Sequence, residues 1–392
     1  MTSLYRPLIL LLSVATIQVQ AIKWDVEGIK GGYHQQQPEL QRPTLHADPP
    51  SVNPRLPRPT CMKRSELGSR LQIQEKKEYT LFFEKEDMYF KSEYHPVKTL
   101  GQGSFGMVHL AIKKSNGLKV VYKIIKKGYL PFYTLESSPP PECHSTEIST
   151  LYGKYAGAGC MSPRPQSLLL PPEIKIQEYL SQPGYGSLYV PRVIDYIITT
   201  RVYVLIMEYL GEDWMDLDEY MTKHGKVSMD KARLIIKEVV TALLSLKKLG
   251  ILHGDVLGRN ILYNGKTGGV KLIDFGITEP LEGWNQDNSA QARYSGPASG
   301  SSGGRPKVRP TEIRYIKNVG YLLYLLLTSG DPFKNLNIPQ EEFAKELRNR
   351  LDNPESQPAA DAVDLISVLF GYGSSQMVSI EDMLDHPFFT SQ

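Results

Sequence analysis

Apolar and polar residues alternate at positions 97–100 and 107–112, on either side of a glycine-rich turn, and again at 118–125. A period of two predicts three successive strands. Residues 190–196 and 201–209 predict two more. Between these groups, residues 126–172 carry Pro and Ser without sustained periodicity. That stretch is too long for a simple connection and reads as an insertion. Residues 173–180, behind Pro171-Pro172, predict a short helix. From residue 211 the period changes to that of a helix. Residues 229–249 repeat apolar positions every three to four and stop at Gly250. Residues 316–328 are apolar enough for a buried helix, and 359–370 and 380–384 predict two more. Strands first and helices afterwards predict an α+β fold. Its small sheet lobe covers residues 94–207, a connection 208–211 follows, and a helical lobe covers 212–389, with order beginning near Tyr94.

The N-terminal part has another character. One positive charge in residues 1–6 precedes an apolar run at 7–17, and Val19-Gln20-Ala21 offers short residues for cleavage. That succession predicts a signal peptide over residues 1–21 and a secreted protein, with a cytoplasmic one the alternative if the signal is unused. The run is too short to serve as a stable membrane anchor. Residues 22–60 are rich in Gln, Pro and Gly, and 62–87 are charged, with room for a short helix or strand. Together, 22–87 is expected to be a flexible segment. Net charge is only +3 with scattered basic residues, which excludes a nucleic-acid partner. Cys143 and Cys160 share one stretch and either pair or stay reduced; Cys61 is left over in a segment that looks unstructured.

Three groups of residues carry chemistry. Gly101, Gly103 and Gly106 fit G-x-G-x-x-G-x-V, ending at Val108, and let backbone approach phosphates. Their setting between two strands excludes a dinucleotide fold, which needs a helix directly after the glycines. Lys123 follows Val120-Val121-Tyr122 in a buried-looking strand, where an unpaired charge is costly. Its natural partner is Glu173 on the next helix, with Glu178 the rival. In Leu252-His253-Gly254-Asp255-Val256-Leu257-Gly258-Arg259-Asn260, Asp255 can orient a hydroxyl proton. Asn260 and Asp274, the latter opening Asp274-Phe275-Gly276, bring oxygens suited to magnesium. Taken singly each is equally a loop-capping residue.

All of these in order resemble the eukaryotic protein kinase superfamily, from about Tyr94 to Phe389. Leu272-Ile273-Asp274-Phe275-Gly276, Asp216-Leu217-Asp218-Glu219-Tyr220, Pro310-Thr311-Glu312-Ile313-Arg314-Tyr315 and His386-Pro387-Phe388-Phe389 look most like the PIM-type serine/threonine kinases. The resemblance implies a two-lobed kinase fold, ATP and Mg2+ as cofactors, and a protein substrate; with export, that substrate would belong to the secretory pathway or to a host. It implies Lys123 gripping phosphates, Met207 as gatekeeper, and Glu208 to Leu210 as a hinge offering backbone groups to adenine. Val108, Val121 and Leu262 would sandwich the base, Leu100 would join the nucleotide contacts, and Asp216 would lie near the ribose.

The pattern also breaks. Gly254 stands where the family has an Arg that pairs with a phosphorylated activation loop, which argues against that switch. Leu257 replaces the Lys of serine/threonine members. Arg259 stands where it can stabilise transferred charge in its place, or else is a surface or substrate-facing charge. Residues 295–304 are low in complexity. Pro310-Thr311-Glu312 resembles the A-P-E motif, but the Asp that anchors the catalytic loop is replaced near Tyr315, and the Arg partner of Glu312 falls at Met377. That support is expected to be altered at both ends. Gln177 puts a polar group in an apolar spine. An active secreted serine/threonine kinase is the expectation. The alternatives are a pseudokinase acting as a binding protein and a small-molecule kinase on the same fold.

Overall fold

The computed structural model describes residues 58–73, 77–103, 106–128, 130–136, 165, 168–182, 188–281, 310–328, 338–372 and 379–391. The expected signal peptide, most of the spacer, Cys143, Cys160, residues 295–304 and Met377 lie outside the described residues.

The alternating segments form one antiparallel sheet. Its strands are β2 (Tyr94–Gly103), β3 (Gly106–Lys113), β4 (Leu118–Lys126), β7 (Val193–Ile198) and β8 (Val202–Glu208), in the order β2-β3-β4-β8-β7. Central strand β8 is an unbroken apolar run buried from Tyr203 to Met207, as a strand covered on both faces should be. Helix α3 (Pro172–Leu180) packs beside this sheet, with Ile174 in the cluster that holds Leu205 and Met207.

Order begins well before Tyr94, and the expectation of a flexible segment through residue 87 is corrected. Strand β1 (Cys61–Lys63), helix α1 (Gly68–Ile73) and helix α2 (Lys77–Glu93) precede the sheet. Tyr79, Phe82 and Phe83 of α2 are buried against Ile125, Tyr203 and Ile174. Glu86 is 1% exposed, and its carboxylate accepts the Ile198 N–H at 3.2 Å. Eight charged residues concealed this face, although five of the seventeen residues of α2 are aromatic. Cys61 is a free thiol within β1, not in an unstructured segment.

Both ends of the expected insertion are ordered as well. Strand β5 (Phe132–Leu135) pairs antiparallel with β1 on one side and with β6 (Leu169–Leu170) on the other. Residues 137–164 lie outside the described residues.

Beyond β8 the helical lobe is built around α5 (Met229–Lys248), which buries Ile235, Ile236, Val239, Val240, Leu243 and Leu246 on one face. Ser228 caps it, accepting the Lys231 N–H. Helix α4 (Leu217–His224) and the short strand β9 (Trp214–Asp216) come before it. Strands β10 (Ile251–Leu252), β11 (Ile261–Asn264), β12 (Val270–Leu272) and β13 (Glu279–Pro280) carry the loops with the candidate chemistry. Helices α6 (Pro310–Thr328), α7 (Gln340–Arg350), α8 (Gln357–Phe370) and α9 (Pro387–Thr390) complete the lobe. Two expectations shift here. Helix α6 starts at Pro310 rather than 316, and the helix expected at 380–384 is a 3-10 turn at Asp382–Asp385. No helix among the described residues is long and apolar enough to cross a membrane.

Candidate active site

Lys123 lies on β4, opposite Val108 of β3 and Leu205 of β8. Its Nζ reaches Glu173 Oε1 at 2.5 Å and Asp274 Oδ1 at 2.9 Å. A sheet strand, a helix and a loop from the other lobe therefore meet at one cation. Burial works against the lysine's charge, but the two carboxylates outweigh it and raise its pKa. Burial raises Glu173 in turn, with Asp274 adding to it and Lys123 opposing. Glu178, the rival partner, pairs with Lys175 instead.

The catalytic-type loop follows β10. His253 is 1% exposed. Its Nδ1 lies 3.3 Å from the Asp255 N–H and its Nε2 lies 2.9 Å from the Ile273 carbonyl. Accepting at Nδ1 assigns the ring proton to Nε2, which donates to Ile273. Burial lowers the His253 pKa, so the ring stays neutral. The ring lies 5.0 Å from that of Phe275, itself fully buried. Asn260 donates its Nδ2 to the Asp255 carbonyl at 3.0 Å and to Asp255 Oδ2 at 2.8 Å. These bonds use the amide nitrogen and leave the amide oxygen as the hard donor. Asp274 holds φ 66°, the left-handed region that an ordinary L-residue avoids. Such strain costs on the order of 1–3 kcal/mol and concentrates at functional positions.

The glycine hairpin separates two roles. Gly106 has φ 147°, and a Cβ there would meet the Ile124 carbonyl oxygen at 1.8 Å. The sheet alone demands glycine at that position. A Cβ on Gly101 would touch nothing within 4 Å. Packing does not explain Gly101, whereas room for a ligand does.

The protein kinase domain family matches residues 169–389, more than half of the chain. This chain belongs to the protein kinase family. Among its relatives are a sucrose non-fermenting protein kinase 1 from Fusarium virguliforme and a serine/threonine-protein kinase pim-2 from Danio rerio. The first is 26% identical over 76% of this chain and 36% of its own length. The second is 24% identical over 76% of this chain and 86% of its own length. An SNF1-related catalytic subunit, KIN12, from Arabidopsis thaliana is 25% identical over 76% of this chain and 51% of its own. The kinase thus spans about a third to a half of the length of the Fusarium and Arabidopsis relatives. The two-lobed α+β expectation is met.

The nucleotide side of the kinase is less uniform than expected. Val121 sits opposite Met207, and Asp216 opposite Leu262, so these four do face one another across strand pairs. Leu100 is exposed beside the glycine turn. At Glu208 the N–H and the carboxylate are both engaged within the protein. Its N–H donates to the Arg192 carbonyl at 2.9 Å, and its carboxylate takes the Arg192 N–H and lies 3.3 Å from Lys271 Nζ. Asp216 caps α4 by accepting the Glu219 N–H at 2.8 Å.

The departures from the family pattern have local explanations. Gly254 has φ 82°, and a Cβ there would stand 2.3 Å from the Ile277 carbonyl oxygen. The backbone at this position leaves no room for a side chain, so an Arg here would be strained and would collide with Ile277. Gly254→Arg is expected to lower thermal stability by several degrees and to leave activity no higher; a phosphate-transfer assay and a melting curve check both. Gln177 is buried but not orphaned, donating to Pro191 O at 3.3 Å and to Met207 Sδ at 3.0 Å. Arg259 is 61% exposed at its side chain and lies 3.5 Å from Asp255 Oδ2. Tyr315 is fully buried, and its hydroxyl finds no partner among the described residues.

The altered support around Glu312 still holds a cation, at a position the motifs did not point to. Glu312 is buried within α6 and pairs at 2.5 Å with Lys247, at the end of α5. Lys247 also meets Glu381 at 2.7 Å. Nothing in the spacing of Lys247 set it apart from an ordinary basic residue at a helix C-terminus.

Proposed function

We propose that this kinase transfers the γ-phosphate of ATP to a protein hydroxyl, on Ser or Thr rather than Tyr, and that it acts after export. The observation that supports this most is the meeting of Lys123, Glu173 and Asp274 at one point while Asn260 holds Asp255. Lys123 grips the nucleotide phosphates, and Glu173 keeps its ammonium in place. Asp255 receives or orients the proton of the attacking hydroxyl, and Asn260 keeps that carboxylate from turning away. Arg259, close to Asp255 and facing solvent, is placed to steady charge on the transferred group.

Asn260 and Asp274 are the residues that would hold magnesium. No cluster of three metal-ligating side chains occurs among the described residues. Two hard oxygen donors suit a magnesium ion that arrives with nucleotide phosphates and keeps its own waters. Bound there, the ion would neutralise phosphate charge. The name of the pim-2 relative, a serine/threonine-protein kinase, favours serine or threonine as acceptor. The apolar run at 7–17 with Val19-Gln20-Ala21 supports export, and secretory or host proteins as substrates.

The test is γ-phosphate transfer from magnesium-ATP to the protein itself and to a generic protein mixture. Transfer to serine or threonine, lost on chelation with EDTA, is the expected result. Thermal stabilisation by magnesium-ATP without transfer would assign a nucleotide-binding pseudokinase. Transfer confined to sugars or choline-like acceptors would assign a small-molecule kinase.

A further inference from the structure

The start of α3 is tied to residues far from it in sequence. Glu173, the partner of Lys123, is the second residue of α3, and no side chain caps that helix. Directly before it, Leu169 and Leu170 form β6 and pair with Leu135 and Thr134 of β5. Thr134 Oγ1 donates to the Leu170 carbonyl at 3.3 Å, and the Glu136 N–H to the Leu168 carbonyl at 2.9 Å. On its other edge β5 is held by β1, and the Arg64 N–H donates to the Pro131 carbonyl at 2.9 Å. One ion pair crosses from this sheet to the helix. Lys175 Nζ lies 3.4 Å from Glu136 Oε1, and the Glu136 side chain is 3% exposed. Lys175 also meets Glu178 at 2.5 Å, but that contact stays within α3. Leu168 and Leu170 share a buried cluster with Ile174 of α3 and with Tyr79, Phe82 and Phe83 of α2.

We propose that the N-terminal segment and the β5–β6 pair form an intramolecular clamp that holds α3 where Glu173 meets Lys123, with Lys175 and Glu136 as its positioning residues. The clamp takes the place of a switch that Gly254 cannot serve. Lys175 stands two residues, just over half a turn, from Glu173, so a pull on it acts on the same turn of helix. Glu136 is nearly buried, so its attraction for Lys175 is little screened by solvent. The proposal rests on the kinase reading for its functional meaning, but its physical content is the placement of α3.

The experiment compares the full chain with Glu136→Gln, Lys175→Met, the double variant, Lys175→Arg and Glu178→Gln. The deciding readout is hydrogen exchange at the α3 amides against those of β7 and β8, without nucleotide. Glu136→Gln and Lys175→Met are expected to speed exchange in α3 by about tenfold while β7 and β8 keep the wild-type rate. The double variant should be no faster than either, because both remove one interaction. Lys175→Arg and Glu178→Gln should behave as wild type. In the transfer assay the first two variants should lose about tenfold in kcat/KM for ATP, because Lys123 is less firmly held. Unchanged α3 exchange in Glu136→Gln overturns the clamp, as does a uniform rise across α3, β7 and β8, or an effect of Glu178→Gln matching that of Lys175→Met. If the wild type transfers no phosphate yet α3 alone loosens, the clamp stands and the kinase function falls.

Discussion

Asp255→Asn is expected to lower kcat by about 10²–10⁴ while leaving KM for ATP nearly unchanged. The substitution keeps the size of the side chain and one acceptor oxygen, which can still take the Asn260 Nδ2 bond now made at 2.8 Å. It removes the negative charge and the second acceptor that would receive a hydroxyl proton. The retained oxygen is also the one 3.5 Å from Arg259, so this contact keeps its acceptor and loses only the charge. The proposed nucleotide contacts lie elsewhere, at Lys123, Asp274 and the hairpin glycines. Steady-state kinetics at varied ATP concentration separates the two effects. A rise in KM for ATP as large as the fall in kcat would place Asp255 in nucleotide binding and remove it from the chemistry. Arg259→Ala gives a graded companion result. Losing one charge-stabilising group costs on the order of 10²–10³ in rate when that group faces the transition state. A rate within twofold of wild type would make Arg259 a surface charge.

The sheet lobe and the reactive set were legible because both depend on short-range order. Strands β2, β3, β4 and β8 alternate or run apolar over their full length, and each lies within a few residues of its predicted span. Lys123 and Glu173 could be paired because a strand followed by a helix offers few partners for a buried ammonium. What escaped was set by contacts distant in sequence. The aromatic residues of α2 are separated by Glu, Lys and Asp, so mean composition pointed to a flexible tail although Phe82 and Phe83 are nearly fully buried. Strand β6 is two residues long and exists because β5 and β1 lie beside it. Gly254 read as a lost function, whereas its φ of 82° and the nearby Ile277 carbonyl show a backbone position that only glycine fits. Gln177 read as a defect, but its partners are a carbonyl and a methionine sulfur that no periodicity could reveal.

Lys247→Met is expected to cost about 3–5 kcal/mol of stability, because it strips a buried carboxylate of its only described cation. Glu312 is 8% exposed at its side chain and sits in α6, while Glu381 lies 2.7 Å from the same ammonium. With the lysine gone, two carboxylates face each other with no cation between them. The melting temperature should fall by roughly 6–20 °C, scaling from the behaviour of domains of comparable size. Burial opposes the charge on Lys247, yet its bonds to Glu312 and Glu381 prevail and raise its pKa. The bridge is therefore at full strength below the free-lysine value near about 10.4 and weakens only as pH rises through the higher folded value. A double variant, Lys247→Met with Glu312→Met, should recover most of the loss, since an apolar pair of similar volume can replace a buried ion pair. Persistence of the full loss in the double variant would show that α5 and α6 depend on the shape of the lysine rather than its charge. The site shares in the outcome, because α5 leads through Gly250 and β10 straight to His253 and Asp255. A loosened α5–α6 contact should lower kcat at temperatures where the variant is still folded, which ties a support invisible in the sequence motifs to the geometry of the reactive loop.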